Sequence, residues 1–156
     1  MAEEVFLKYL RKVYARNKGV AVTIRREKGG TADGVVTSAI KFLGDFDQKV
    51  VVLDNDKPKQ EIENARKKAQ ESGIILIENK PCLEATLLSA LNDSQDFSNQ
   101  KSAWCKKEFE NKFISKKKRS DLVEYEKIFS KKLLDNQSRS IVQLEKIILL
   151  MKRLNE

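Results

Sequence analysis

The chain has 156 residues, of which 35% are charged and 40% apolar, and its formal net charge is +8. This length predicts one domain with room for a small appendage. The charge favours a polyanionic partner, nucleic acid before membrane, with a basic protein lacking such a partner as the alternative. Histidine is absent. That excludes a Ser-His-Asp triad or a histidine metal site, so hydrolysis would need carboxylates with hard cations, or Lys, Tyr, Ser or Cys.

The N-terminal residues do not have the pattern of a signal peptide. No apolar run approaches the roughly 18 residues that a membrane span requires, so we expect no membrane partner. Cys82 and Cys105 are too few for a disulfide scaffold. These features together predict a cytoplasmic location.

The N-terminal part predicts two helices separated by a strand and a loop. Residues 4–16 have apolar side chains at helical spacing, and Val20–Ile24 has the composition of a strand. A charged loop with Gly29 and Gly30 follows, where backbone N–H groups could meet a phosphate. The second helix is expected to end near Gly44.

Two apolar runs in the next segment predict parallel strands. Val50–Leu53 and Ile74–Ile77 are continuous apolar runs, typical of strands covered on both faces. A helix is expected after Pro58, between the two runs, and a short helix over Cys82–Leu91. This alternation predicts an α/β fold over residues 1–95, with a parallel sheet and flanking helices.

Residues 96–156 predict a small helical C-terminal extension. One of its helices is expected from about Asp121 to Leu134, because Asp121 and Glu124 have capping-box spacing. The last helix, Ile141–Leu154, is strongly apolar. We interpret it as the core of a helical cap, with a homodimer or partner-protein interface as the alternative.

Acidic side chains follow the strand over Val50–Leu53. Asp54 and Asp56 are at i and i+2, so both carboxylates point to one side if the strand continues. Ligands bind at the carboxyl ends of parallel strands, and Glu84 follows the next strand. Mg²⁺ or Mn²⁺ would offset the repulsion between such carboxylates. The alternative is a solvated acidic turn that caps the next helix.

Two segments of the sequence resemble RloB-like members of the Toprim superfamily. They are KVVVLDND at 49–56 and GIILIENKPCLEATLLSAL at 73–91. The similarity covers about residues 3–91, is best from Gly29 to Leu91, and is only loose in the C-terminal helices. Its most specific parts are the strand-terminal DxD and a segment that contains Asn79, Pro81, Cys82 and Glu84.

The resemblance implies a Toprim-like fold and a role in phage defence, because these small proteins are encoded near restriction and phage-defence genes. In Toprim enzymes the DxD pair binds Mg²⁺ during cleavage or transfer of phosphodiesters. By resemblance, Asp54 and Asp56 are metal ligands and catalytic residues, and Glu84 is a third catalytic carboxylate. Mg²⁺ or Mn²⁺ is the expected cofactor.

The N-terminus departs from the family pattern. Family members have an apolar first strand that leads into Glu-Gly-x-Thr-Glu, whose first glutamate is catalytic. Here Glu3 or Glu4 aligns with the last glutamate of that motif. The first strand and its catalytic glutamate are therefore expected to be missing. Three explanations stay open: a truncated sequence, their loss from the natural protein, or a strand supplied from elsewhere.

Two basic clusters are candidate nucleic-acid contacts, because phosphates attract such clusters regardless of base sequence. The first lies on the glycine loop and the second in the C-terminal part, where a solubilising loop is the alternative. Their members are Arg25, Arg26 and Lys28, and Lys116, Lys117, Lys118 and Arg119.

Three functions are weighed on these features. The leading hypothesis is a divalent-metal-dependent nuclease of Toprim type that acts on DNA or RNA. A phosphatase of the haloacid-dehalogenase type also has a strand-terminal DxD, but Pro58 stands where that motif requires Thr or Val. The non-enzyme alternative is a degenerate protein of a phage-conflict system that binds nucleic acid or a partner.

Overall fold

The computed structural model describes residues 2–153, apart from the side chain of Asn17. These residues form a mixed α/β fold, as the sequence predicts. In chain order the elements are α1 (Ala2–Leu10), α2 (Ala32–Lys41), β1 (Val50–Asp54), α3 (Lys59–Glu71), β2 (Ile75–Asn79), α4 (Leu83–Leu91), α5 (Ser102–Lys112), α6 (Leu122–Ile128), α7 (Lys131–Gln137) and α8 (Val142–Met151). A π-helical turn over Arg11–Ala15 and a 3₁₀ turn over Arg16–Lys18 extend α1.

The sheet that the structure describes consists of β1 and β2, which run parallel. Val50 is paired with Ile75, and Asp54 with Asn79. Successive side chains of a strand point to opposite faces, and each face of this sheet therefore packs against a different set of helices. The two strands confirm the predicted parallel pairing, whereas the Toprim-like order of strands stays a prediction.

One face of the sheet packs against helices that present alanines to it, and is here called the alanine face. Helices α2 and α3 cover it, and Lys68 of α3 donates a hydrogen bond of 2.8 Å to the Thr37 hydroxyl of α2. Small residues allow the two helices to lie close to the strands, so this layer is thin. Its buried residues are Ala32, Val36, Val51, Leu53, Ile62, Ala65, Ala69 and Ile74.

The opposite face, here called the aromatic face, packs against α1 and the helices from α4 onwards. The Phe6 ring lies 5.4 Å from the Phe129 ring and 6.2 Å from the Tyr125 ring, measured between centroids. The cluster contains residues from Ala2 to Met151, so it includes both parts of the predicted division at residue 95. That division into two domains stays a prediction.

The predicted strand over Val20–Ile24 is wrong, because these residues form neither strand nor helix. Their burial does alternate along the segment, and Val20 and Val22 pack against the aromatic face. The Val22 carbonyl accepts a hydrogen bond of 3.0 Å from the Arg11 guanidinium. Strand composition alone does not make a strand, since a strand needs a neighbour to pair with.

The predicted helix from Asp121 to Leu134 is also wrong in its length, because it is two helices. Asp121 does begin α6, as predicted, and accepts a hydrogen bond of 3.0 Å from the Val123 N–H. The hydroxyl of Ser130 accepts one of 3.1 Å from the Leu133 N–H and begins α7. A serine favours a helix start over a helix interior, which explains the break.

The last helix, α8, packs its apolar side into the aromatic face. Its buried residues there are Leu144, Ile147, Ile148 and Met151, whereas Val142 is 58% exposed. Leu154, the last residue of the predicted helix, lies outside the described residues. The core already uses most of the apolar side of this helix. A dimer or partner interface on the helix stays a prediction. None of the helices between residues 2 and 153 has the length and hydropathy to cross a membrane.

Candidate functional site

The carboxyl ends of β1 and β2 form the centre of an acidic site. Asp54 is the last residue of β1, and its carboxylate accepts a hydrogen bond of 2.8 Å from the Leu83 N–H. Leu83 is the first residue of α4, and the preceding Cys82 makes no side-chain cap bond. A carboxylate at a helix N-terminus is favoured by the helix dipole. Asp54 therefore caps α4 from a neighbouring element.

Asp56 reaches the same side of the sheet as Asp54, where α5 meets its carboxylate. The Ser102 hydroxyl at the start of α5 donates a hydrogen bond of 2.6 Å to the Asp56 carboxylate. The ammonium of Lys106, one turn further along α5, lies 3.7 Å from the same carboxylate oxygen. The i, i+2 spacing thus directs both aspartates to one side, and the C-terminal extension covers that side.

Glu84 is in the first turn of α4, next to Asp54. Its Oε2 atom is buried and has no hydrogen-bond partner among the described residues. Burial raises the pKa of Glu84, and the negative charge of Glu3 raises it further. A buried carboxylate oxygen without a donor is costly, which marks this position as one that would gain from a cation.

Burial and, after it, the neighbouring carboxylates raise the pKa of Asp54. Burial raises it from its ordinary value of 3.8 to about 7, and the charges of Glu3, Glu84 and Asp56 contribute in the same direction. The hydrogen bond from Leu83 opposes the shift. Shifts of this size from burial and like charges are typical of functional sites.

Three side chains of the site come from positions far from the sequence motifs. Glu3 of α1 acts electrostatically on both Asp54 and Glu84. Lys106 of α5 has a raised pKa, because the charges of Glu84, Asp54 and Asp56 outweigh its burial. Tyr125 of α6 is fully buried, and its hydroxyl donates a hydrogen bond of 3.0 Å to the Arg119 carbonyl. Burial raises its pKa to about 12, and the charges of Glu84 and Glu3 contribute to this shift.

Sequence reasoning did not place these three residues at the site. For Glu3 the only signal was its position in the family motif, where it aligns with a glutamate other than the catalytic one. Neither Lys106 nor Tyr125 stands out among the charged and aromatic residues of the helical extension. Their contribution depends on how that extension packs against the sheet.

The candidate metal ligands around Asp54 are chemically suited to a hard cation. All are carboxylate oxygens, and one oxygen of Glu84 has no partner, which suits Mg²⁺ or Mn²⁺. Among the residues that the structure describes, however, no three acidic or thiol side chains converge closely enough to hold a metal ion. Oxygens of Asp54 and Asp56 are engaged by Leu83 and Ser102 instead. Binding of a metal would therefore require these side chains to rearrange.

The opposite side of the same sheet edge is neutralised within the protein. Asn55 points away from its two acidic neighbours and donates a hydrogen bond of 2.5 Å to Glu78. Arg66 of α3 makes two hydrogen bonds to the same carboxylate, of 2.8 and 2.9 Å. This arrangement lowers the pKa of Glu78, mainly through Arg66. On the side that bears Asp54, the carboxylates of Asp54, Asp56 and Glu84 outnumber the Lys106 ammonium that acts on them.

The first predicted basic cluster lies on the exposed loop before α2. Arg25 stacks over the Phe42 ring at 4.8 Å and lies 3.5 Å from the Glu27 carboxylate. Arg26 lowers the pKa of Glu4 after the larger effect of Lys8, which brings it near the N-terminus of α1. Lys28 is exposed. Arg25 is thus engaged within its own loop, whereas Arg26 acts on α1.

The second predicted basic cluster lies in the turn between α5 and α6. Lys116 and Lys117 are exposed. Lys118 lies 3.9 Å from the Glu124 carboxylate, and Arg119 lies 3.7 Å from Glu110. Lys116 and Lys117 are consequently the better placed of these four for a phosphate.

The two cysteines are buried thiols close to the acidic site. Cys82 and Cys105 are both 0% exposed, and the Cys82 thiol lies 3.9 Å from the Ser102 carbonyl. Burial raises the pKa of Cys82 to about 12. A thiol with so high a pKa is a poor nucleophile at neutral pH, so the chemistry of the site rests on its carboxylates.

The fold and the site define a mixed α/β protein with an acidic cluster at the carboxyl ends of two parallel strands. No family model matches the sequence, and comparisons with curated proteins and with solved structures find no significant match either. The contacts of the acidic cluster therefore have to carry the functional interpretation.

Proposed function

We propose that this protein is a divalent-metal-dependent nuclease, which cleaves phosphodiester bonds of DNA or RNA at the carboxyl ends of β1 and β2. The observation that carries this proposal is the raised pKa of Asp54, to about 7, among the charges of Glu3, Glu84 and Asp56. A fold gains nothing in stability from crowding like charges. Such a cluster is explained by a cation that the carboxylates bind during function.

Asp54 and Asp56 are the residues that would hold the metal, as the Toprim resemblance implies. A bound Mg²⁺ or Mn²⁺ supplies a Lewis acid for the phosphate and lowers the pKa of a bound water. Glu84 lies beside Asp54, and its Oε2 atom has no partner within the described protein. With its raised pKa, Glu84 is suited to hold or move a proton at that oxygen. A role in phage defence also belongs to this proposal.

The surface charge supports nucleic acid as the substrate. The chain has a net charge of +8 although its site is acidic, so basic groups dominate elsewhere. Lys116 and Lys117 are exposed, and Arg26 lies near α1, whose Glu3 belongs to the site. Lysine and arginine contacts to phosphates give binding that weakens steeply with salt.

The test is a cleavage assay with end-labelled single-stranded DNA, duplex DNA and RNA in Mg²⁺ or Mn²⁺. We expect cleavage that EDTA abolishes and that Asp54→Asn reduces by at least about 100-fold, since a lost metal ligand removes transition-state stabilisation. Asp45→Asn is the matched control, because Asp45 is an exposed aspartate in the loop before β1. Equal activity of the two variants, or no cleavage of any substrate with either metal, would refute the proposal.

The second candidate is a protein that binds nucleic acid or a partner without catalysis. One observation favours it specifically: Ser102 and Lys106 provide the Asp56 carboxylate with a hydrogen bond and a positive charge from within the protein. A catalytically degenerate site could persist in this internally satisfied form. Salt-sensitive binding of labelled nucleic acid, together with a complete absence of metal-dependent turnover, would select this candidate over the nuclease.

A further inference from the structure

Lys106 is a cation that the protein itself places at the acidic site. Its ammonium lies 3.7 Å from the Asp56 carboxylate, and it acts electrostatically on Asp54 and Glu84 as well. It also acts on Glu3, which completes the set of four surrounding carboxylates. Lys106 thus acts on each carboxylate of the acidic site.

The Lys106 ammonium and a divalent metal compete for the Asp56 carboxylate. Asp54 and Asp56 are the proposed metal ligands, and the ammonium now lies beside the second of them. A bound cation of charge +2 would repel an ammonium a few ångströms away, by several times the thermal energy even with strong screening. The Lys106 side chain is 44% exposed, so its flexible stem can move towards solvent.

We propose that Lys106 occupies the acidic site as an internal cation, and that a divalent metal must displace its ammonium to bind Asp54 and Asp56. This inference rests on the proposed function, since it assigns Lys106 a role towards the metal of that site. Lys106 then sets the metal affinity, and α5 of the helical extension belongs to the functional centre.

The experiment measures Mn²⁺ binding by titration calorimetry and by the electron-paramagnetic-resonance signal of the unbound ion. Lys106→Met keeps the length of the stem and removes the charge, whereas Lys106→Arg keeps the charge. Lys107→Met is the matched control, because Lys107 is the exposed neighbour on the same helix and its loss changes the net charge equally. Urea unfolding verifies that all variants are folded.

We expect Lys106→Met to lower the dissociation constant for Mn²⁺ by roughly tenfold, since an adjacent positive charge is removed. Lys106→Arg and Lys107→Met should stay within about twofold of the parent protein. If the parent protein binds Mn²⁺ and Lys106→Met binds it equally or more weakly, the competition is refuted while the proposed nuclease stands. If neither the parent nor Lys106→Met binds Mn²⁺, both proposals fall.

Discussion

The two faces of the sheet differ in thickness, in side-chain size and in charge at the carboxyl ends of the strands. The alanine face is covered by α2 and α3 and buries side chains no larger than Leu53 and Ile62. The aromatic face is covered by α1 and by α4 to α8, and contains Phe6, Tyr125 and Phe129. At the carboxyl ends of the strands, Arg66 pairs with Glu78 on the alanine face and Asn55 donates a hydrogen bond to it. The other face holds the crowded carboxylates.

The difference between the two faces explains where carboxylates are crowded at the ends of the strands. Asn55 and its neighbours Asp54 and Asp56 are consecutive in sequence, yet they alternate between the two faces. On the thin layer, Glu78 is paired with Arg66, whose side chain is 50% exposed, whereas that of Glu78 is 15% exposed. The thick layer buries Asp54 against α4 and α5, and burial is the largest cause of its raised pKa. Bulk on one face thus creates the electrostatic environment of the site.

The largest expected effect is a loss of stability, which is compared between one core substitution on each face of the sheet. Ile148 on the aromatic face and Ile62 on the alanine face are 3% and 4% exposed. We expect Ile148→Ala to cost about 4 kcal/mol and Ile62→Ala about 2 kcal/mol, because a thin layer can collapse around a cavity more readily. Urea unfolding measures both, and equal losses would show that the layers are equally rigid.

Substitution of Asp54 at the acidic site is expected to change stability by a smaller amount and to increase it. The pKa of Asp54 is about 7 in the folded protein and 3.8 ordinarily. The folded state therefore binds a proton more tightly, and stability falls as the pH rises from about 4 to about 7. Asp54→Asn should remove this loss and raise stability at pH 8 by about 1 kcal/mol, or roughly 2–4 °C in Tm, with little change at pH 4.

The control for this substitution separates charge from capping. Asparagine keeps an oxygen that can accept the hydrogen bond from Leu83, whereas alanine does not. Asp54→Ala should therefore be less stable than Asp54→Asn by about 1 kcal/mol, the typical value of a lost helix cap. A metal-free Asp54→Asn protein that is less stable than the parent at pH 8 would contradict the charge crowding.

The smallest effect is expected on the neutralised edge. Arg66→Met removes the ion pair with Glu78 but keeps an aliphatic stem along α3. Exposed ion pairs contribute little, so we expect a loss of about 0.5 kcal/mol, which high salt should reduce further. Thermal unfolding at low and high salt measures it. A loss above about 2 kcal/mol would show that this edge is as finely balanced as the acidic one.

The sequence predicted the local elements well where hydrophobic period and turn residues agree. The strands β1 and β2, the helix α3 between them and α4 were all expected near their observed positions. The segment Val20–Ile24 failed because pairing with a neighbour is a property of the fold, which composition does not encode. The start of α7 at Ser130 was missed because its apolar period continues that of α6.

The candidate site was predictable only where its residues lie close together in sequence. The spacing of Asp54 and Asp56 directed both to one side, and Glu84 follows the adjacent strand. Glu3 and Lys106 are more than 45 residues from either aspartate along the chain, and their approach depends on the packing of α1 and α5. No periodic pattern in a single sequence specifies such packing.

The long-range bonds of the N-terminal helical segment have a consequence for how the protein is made. The Tyr9 hydroxyl donates a hydrogen bond to the Phe129 carbonyl, and that of Tyr14 donates one of 2.7 Å to Asp135. This N-terminal helical segment thus waits for partners about 120 residues later in the chain. Until then its apolar side is exposed, which makes the nascent chain a natural client for chaperones.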